Sequence, residues 1–179
     1  LEGGTPYAPN GDTLLLIEGI SAIRQAKALE IGAGAGYVAR ELALRNEYVV
    51  ATELDPASLR RAKEVLRGLS DRVDLVRCDR ARPLRDELFD LVCFNPPYVP
   101  SESVQDLATD AGPKAEVPLA FLSEALRVLK KGGRVLFVIS TATPAGPLLE
   151  AMRRFGVSLS LLDRRHLFFE DLLLVGGQK

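Results

Sequence analysis

The chain has 179 residues, 47% hydrophobic and 26% charged, with a formal net charge of −1. That length and composition suit one globular core, so a single domain over residues 1–179 is expected. The scattered pairs Arg60-Arg61, Arg153-Arg154 and Arg164-Arg165 form no basic stripe for a phosphate backbone, and neither a bilayer-spanning apolar run nor a secretory leader is present.

Thr13 to about Ala26 has helical spacing, with Asp12 as the expected cap. The apolar strand Lys27–Ile31 then runs into Gly32-Ala33-Gly34-Ala35-Gly36 and a helix from Tyr37 to Leu44. Glycines there let the backbone approach a ligand closely. The dinucleotide fingerprint asks for glycine at its first, third and sixth positions and fails at Tyr37. Glu30 stands two residues before Gly32, where a carboxylate can hold an ammonium such as that of S-adenosylmethionine (SAM). A second strand, Tyr48–Thr52, ends at Glu53, a position where an acid accepts hydrogen bonds from ribose hydroxyls. Asp55-Pro56 reads as the cap and first residue of the next helix. The third strand, Val73–Cys78, ends at Asp79, which can take the exocyclic amino group of adenine. Each acid alone is explained as a solvated charge; three successive strands ending in acid are not.

Asp90–Phe94 is a fourth buried strand, and it ends in Asn95-Pro96-Pro97-Tyr98. Both prolines lack an N–H, and Pro96 holds Asn95 extended. The Asn95 side-chain oxygen and the Pro96 carbonyl can therefore accept both hydrogens of one external NH₂ group, with the Tyr98 ring beside it. Val99–Val117, rich in Pro, Ser, Asp and Gly, has the length of a lid or binding loop. A helix over Pro118–Lys131, a strand over Arg134–Ser140 and a short helix over Pro147–Phe155 follow. Val157–Asp163 and Phe168–Val175 are expected to close the fold as a hairpin. Cys78 and Cys93 fall inside strands and read as free buried thiols of a reducing, cytoplasmic compartment. The lone His166 reads as a hairpin residue, and no Cys/His cluster offers a metal site.

With these motifs the chain resembles class I SAM-dependent methyltransferases, and within them the HemK-like protein-glutamine N-methyltransferases of the short archaeal and eukaryotic branch. Tyr7, Pro9, Asp12 and Thr13 match that branch's opening Tyr-x-Pro-x-acid-Asp-Thr pattern, whereas Gly11 stands where the branch has an acid. The resemblance implies a Rossmann-like α/β fold, a mostly parallel seven-stranded sheet with helices on both faces and a C-terminal antiparallel hairpin. It implies SAM contacts from Thr13, Glu30, Gly32, Gly34, Glu53, Asp79, Arg80 and Asn95. The substrate and catalytic positions it implies are Asn95, Pro96, Pro97 and Tyr98. It further implies that the substrate is the Gly-Gly-Gln glutamine of a translation release factor, and that a small zinc-binding activator pairs with the edge strand Val73–Cys78. The alternative is methylation of an exocyclic amino group of adenine or guanine in DNA or RNA, which meets the same NH₂ problem but must also hold the strand. An inactive SAM-binding subunit is a third reading, opposed by the intact Glu30, Asp79 and Asn95.

Overall fold

In the computed structural model, residues 9–106 and 109–179 are described. Tyr7, the start of the N-terminal pattern, lies outside them. In chain order the elements are α1 (Gly11–Ile20), β1 (Lys27–Ile31), α2 (Tyr37–Arg45), β2 (Tyr48–Glu53), α3 (Pro56–Val65), β3 (Val73–Arg77) and β4 (Phe89–Phe94). A one-turn 3-10 segment, Pro113–Ala115, then leads into α4 (Glu116–Val128), β5 (Leu129–Ser140), α5 (Ala145–Arg154), β6 (Ser158–His166) and β7 (Asp171–Gln178). The seven strands form one sheet in the order β3-β2-β1-β4-β5-β7-β6. The first five pair in parallel, and β7 joins β5 and β6 antiparallel. This is the expected Rossmann-like sheet with its closing hairpin.

Side chains that alternate along the strands feed two separate cores, as the period of two requires. On one face Leu15, Leu16 and Ile20 of α1, Val38 and Leu42 of α2, and Ala62 of α3 cover Ala28, Val49, Leu91 and Val138. On the other, Leu122 and Leu126 of α4 and Leu148 and Met152 of α5 cover Leu29, Ile31, Phe94 and Phe137. β1, β2 and β4 are buried along most of their length, so they read as continuous apolar runs.

Several boundaries differ from expectation. α1 ends at Ile20, not Ala26, where the Ser21 N–H and hydroxyl both bond the Glu18 carbonyl and turn the chain toward β1. Asp12 is not the cap: Asn10 holds that position, and Asp12 sits in the first turn with its carboxylate committed elsewhere. β3 stops at Arg77, so Cys78 lies just past the strand, half-buried, its thiol donating to the Arg80 carbonyl at 3.2 Å. β5 begins at Leu129 because Leu129 already pairs with Phe89 across a bulge, which leaves Gly132-Gly133 inside the strand. Phe168 and Phe169, expected to start the last strand, stand in the turn before it.

Candidate active site

The parallel part of the sheet reverses its order once, at β1. From β1 the chain builds outward through β2 and β3, then returns to lay β4 and β5 on the other side of β1. In such sheets ligands bind outside the carboxyl ends of the strands at the reversal. Ile31 is level with both Thr52 and Phe94, and Glu53 with Arg77. Glu30, Glu53, Asp79 and Asn95 therefore collect along one end of four adjacent strands, and Glu30 and Asn95 flank the reversal itself.

These two residues carry the most telling electrostatics. Glu30 is 4% exposed. Its Oε2, like the Asn95 Oδ1, is buried with no hydrogen-bond partner among the described residues. Buried polar atoms are nearly always satisfied, so two orphaned acceptors at neighbouring strand ends indicate a site where bound groups donate to them. Burial drives the Glu30 carboxyl well above the usual carboxylate range; a backbone hydrogen bond from Ala39 opposes the shift and the Glu53 charge adds to it. An ammonium placed there would restore the carboxylate.

The glycine turn is shaped for close approach. Gly36, at φ +84°, would place a Cβ 3.0 Å from the Ala62 Cβ, so only glycine lets α2 and α3 meet below the turn. A Cβ on Gly32, at φ +74°, would meet the Phe121 ring at 3.1 Å. Phe121 reaches in from α4 to lie against Phe94, which stacks on Phe137 with ring centroids 5.0 Å apart. This aromatic floor fixes the end of β4, and with it Asn95. The Gly34 N–H donates to Glu53 Oε2 at 2.8 Å, while Glu53 Oε1 accepts from the Leu54 and Asp55 N–H groups. Three backbone donors thus aim the Glu53 carboxylate at the turn. The Asp79 Oδ2 is bonded by both Arg80 and Arg82 at 3.1 Å. Arg80 adopts φ +51°, and its Nε is buried without a partner among the described residues.

Tyr98 is tied back to α1. Its hydroxyl donates to Asp12 Oδ2 at 3.1 Å, and Asp12 Oδ1 accepts from the Thr13 N–H at 2.6 Å. Burial and the Asp12 carboxylate both raise the Tyr98 pKa, so the phenol stays protonated and stays a donor. The bond brings Thr13 to the same edge as the Asn-Pro-Pro-Tyr motif. Sequence reasoning missed this use of Asp12, because only the tertiary fold shows a bond across 86 positions. Pro96 is buried and Pro97 half-buried, and the Val99 N–H to Thr109 and Ala111 N–H to Val99 bonds tie residue 99 to residues 109–111.

Other concavities lack such chemistry. One lies beyond the amino ends of the strands, lined by Arg24, Arg45, Asn46 and Arg72; another lies between α4 and α5, against Leu119, Ser123 and Phe155. Neither holds the orphaned acceptors. No metal-binding cluster occurs, and no helix is long and apolar enough to cross a membrane, among the described residues.

Comparison with known proteins agrees with this geometry. A protein of Methanocaldococcus jannaschii described as a protein N5-glutamine methyltransferase is 26% identical over 96% of this chain and 90% of its own length. The release factor glutamine methyltransferase of Moorella thermoacetica is 34% identical over 57% of this chain, which spans only 39% of that longer protein. Among solved structures, the E. cuniculi Mtq2-Trm112 complex, responsible for methylation of the eRF1 termination factor, aligns with a TM-score of 0.79 and 27% identity, covering 97% of this chain and 98% of that one. A T. thermophilus 16S rRNA methyltransferase solved with AdoMet and guanosine shares the fold at a TM-score of 0.75 and 24% identity, over 98% of this chain and 44% of that one. Residues 10–160 match the methyltransferase small domain, and the chain belongs to that family of SAM-dependent enzymes.

Proposed function

We propose that the chain methylates the side-chain amide of a protein glutamine, that of the Gly-Gly-Gln motif in a class-1 translation release factor, and works as one catalytic domain over residues 1–179 in the cytoplasm. The observation that carries this reading is the orphaned Asn95 Oδ1 at the end of β4, across the reversal from the orphaned Glu30 Oε2. Bound SAM supplies an electrophilic methyl on a sulfonium. Glu30 receives the ammonium of its amino-acid part, Glu53 the ribose hydroxyls, and Asp79 the adenine amino group. Gly32, Gly34 and the Arg80 backbone line the approach, with Thr13 at the rim.

An amide nitrogen is a poor nucleophile because its lone pair is shared with its carbonyl. Asn95 Oδ1 and the Pro96 carbonyl each accept one of its hydrogens and aim the nitrogen at the methyl. Positioning of this kind supplies about 7–11 kcal/mol of a barrier. As the nitrogen gains positive charge, both carbonyl dipoles and the Tyr98 ring face stabilise it in place. An N-alkylated amide cation sheds its proton readily, so the site needs no dedicated base.

We extend the partnership of the E. cuniculi relative to this chain as well: a small zinc-binding activator would add a strand at the outer edge of β3. Labelled SAM with a class-1 release factor tests the function. Mass spectrometry should find one added methyl on the Gly-Gly-Gln glutamine and none after Gln→Ala replacement. Transfer to a DNA or RNA oligonucleotide, with none to the release factor, would replace this reading by nucleic-acid methylation.

A further inference from the structure

The turn between β6 and β7 carries Phe168 and Phe169, 98% and 101% exposed. Their rings lie side by side, with centroids 6.5 Å apart. Turns are made of small and polar residues, and two adjacent phenylalanines held wholly in water reverse that rule.

The tip stands on a stem that is fixed to the catalytic edge. The Ser140 hydroxyl bonds Glu170; the Thr141 N–H donates to the Asp171 carbonyl at 2.9 Å, and the Asp171 N–H returns to the Thr141 hydroxyl at 3.0 Å. Three residues from Ser140, the Thr143 hydroxyl donates to the Tyr98 carbonyl at 3.3 Å. One short segment, residues 140–143, thus holds both the aromatic turn and the Asn-Pro-Pro-Tyr motif. Phe94 is level with Phe137, and Leu172 with Ser140. Leu172 thus lies three residues beyond the end of β4 and the tip of the turn two to three residues further, so the tip overhangs that end by roughly 18 Å and stands roughly 12 Å to its side.

Charge decides what such a rim can take. Arg164 is paired with Asp171, Arg165 with Glu18 and the Gly11 carbonyl, and the His166 Nδ1 with Asp171. Both arginines of the hairpin already have an acid, so the surface offered is aromatic rather than phosphate-binding.

We infer that the Phe168-Phe169 turn is a docking rim for the protein substrate, and that it grips an apolar side chain on the same segment as the target glutamine. An extended chain advances about 3.3 Å per residue, so the gripped side chain lies roughly five to seven residues from the glutamine at Asn95. This rests on the proposed glutamine methylation. It is tested by release-factor kinetics of the wild type against Phe168→Ser/Phe169→Ser and Phe168→Leu/Phe169→Leu. The serine pair should lower kcat/KM about tenfold through KM, with SAM affinity and Tm retained, and the leucine pair should recover most of the loss. Serine replacements at apolar positions roughly five to seven residues from the glutamine should raise KM for the wild type but add little for the serine pair. No transfer by the wild type would overturn the proposed function and this inference with it. Full transfer with an unchanged KM in the serine pair would overturn the docking rim alone. A serine pair that loses affinity for a single-stranded RNA oligonucleotide while keeping its KM for the release factor would reassign the rim to nucleic acid.

Discussion

Glu30 and Asn95 are expensive residues for an empty fold. A buried carboxyl and a buried amide oxygen without partners each cost stability that a hydrophobic residue would not. Their contributions are separable. Asn95→Ala removes the proposed acceptor for the substrate amide and should abolish methyl transfer in single-turnover assays, while calorimetric SAM affinity stays within a few-fold. Glu30→Gln should weaken SAM binding by about 1.5–3 kcal/mol, the worth of a charge-assisted hydrogen bond. The same substitution has a pH signature. The Glu30 carboxyl is raised in the folded state, so its contribution to stability is fully present below the unfolded value of about 4.3 and is lost as pH rises toward the raised folded value. Relative to Glu30→Gln, the wild type should lose stability in urea titrations as pH rises above about 4.3, and its SAM affinity should climb over the same range as an ammonium ligand ionises Glu30. A constant difference across that range would exclude the buried carboxyl as its source. These residues could be read from the sequence because acids and amides ending apolar strands are conspicuous. The Asp12–Tyr98 bond could not, since nothing local distinguishes an N-terminal cap from an acid that meets a phenol across the fold.

Element order survived the move from sequence to structure better than element ends did. Alternation of apolar runs with helical spacing is a long-range pattern, whereas ends depend on single contacts such as the Ser21–Glu18 bonds or the Leu129–Phe89 pairing. Aromatic residues favour sheets, so Phe168-Phe169 reads as strand in the sequence; in the fold it is turn, because Asp171 pairs with His166 and closes the hairpin first. Another contact invisible in the sequence holds the Asp79 loop. Arg127 of α4 donates to the Ala81 and Leu84 carbonyls at 2.8 Å and pairs with Asp86 and Glu124. Its planar fork holds these four acceptors in one fixed geometry, which the compact ammonium of a lysine does not reproduce. Arg127→Lys should therefore lower unfolding free energy by about 1–3 kcal/mol and weaken SAM binding, both measurable by denaturant titration and calorimetry. Lost stability with unchanged SAM affinity would mean that the loop does not need this anchor to present Asp79.

At the scale of the whole molecule, the sheet leaves two edges, β3 and β6. An open edge invites pairing with another chain unless it is blocked. The edge position of β3 agrees with the strand order that the resemblance implies, and the hydrogen bonds of its ladder show which of its residues are able to pair. The Val73 N–H is already bonded to the Leu69 carbonyl at 3.0 Å, so Val73 is a poor place to test the edge. The Val49 N–H bonds the Arg72 carbonyl and the Cys78 N–H the Glu53 carbonyl. Alternation along the ladder then turns Arg72, Asp74 and Val76 toward β2, and Leu75 and Arg77 outward. An added strand would need the outward N–H groups of Leu75 and Arg77, and would gain main-chain bonds with little demand on side-chain identity. Arg77 is exposed at the strand's end, so Arg77→Pro deletes one outward donor without opening the core. With a zinc-binding activator of the kind proposed, Arg77→Pro should reduce co-purification and complex formation on a sizing column while the isolated chain keeps its Tm. Arg77→Ala keeps the N–H and should leave the complex intact. Equal complex formation by the proline and alanine variants would show that the partner, if it binds, does not extend the sheet at β3.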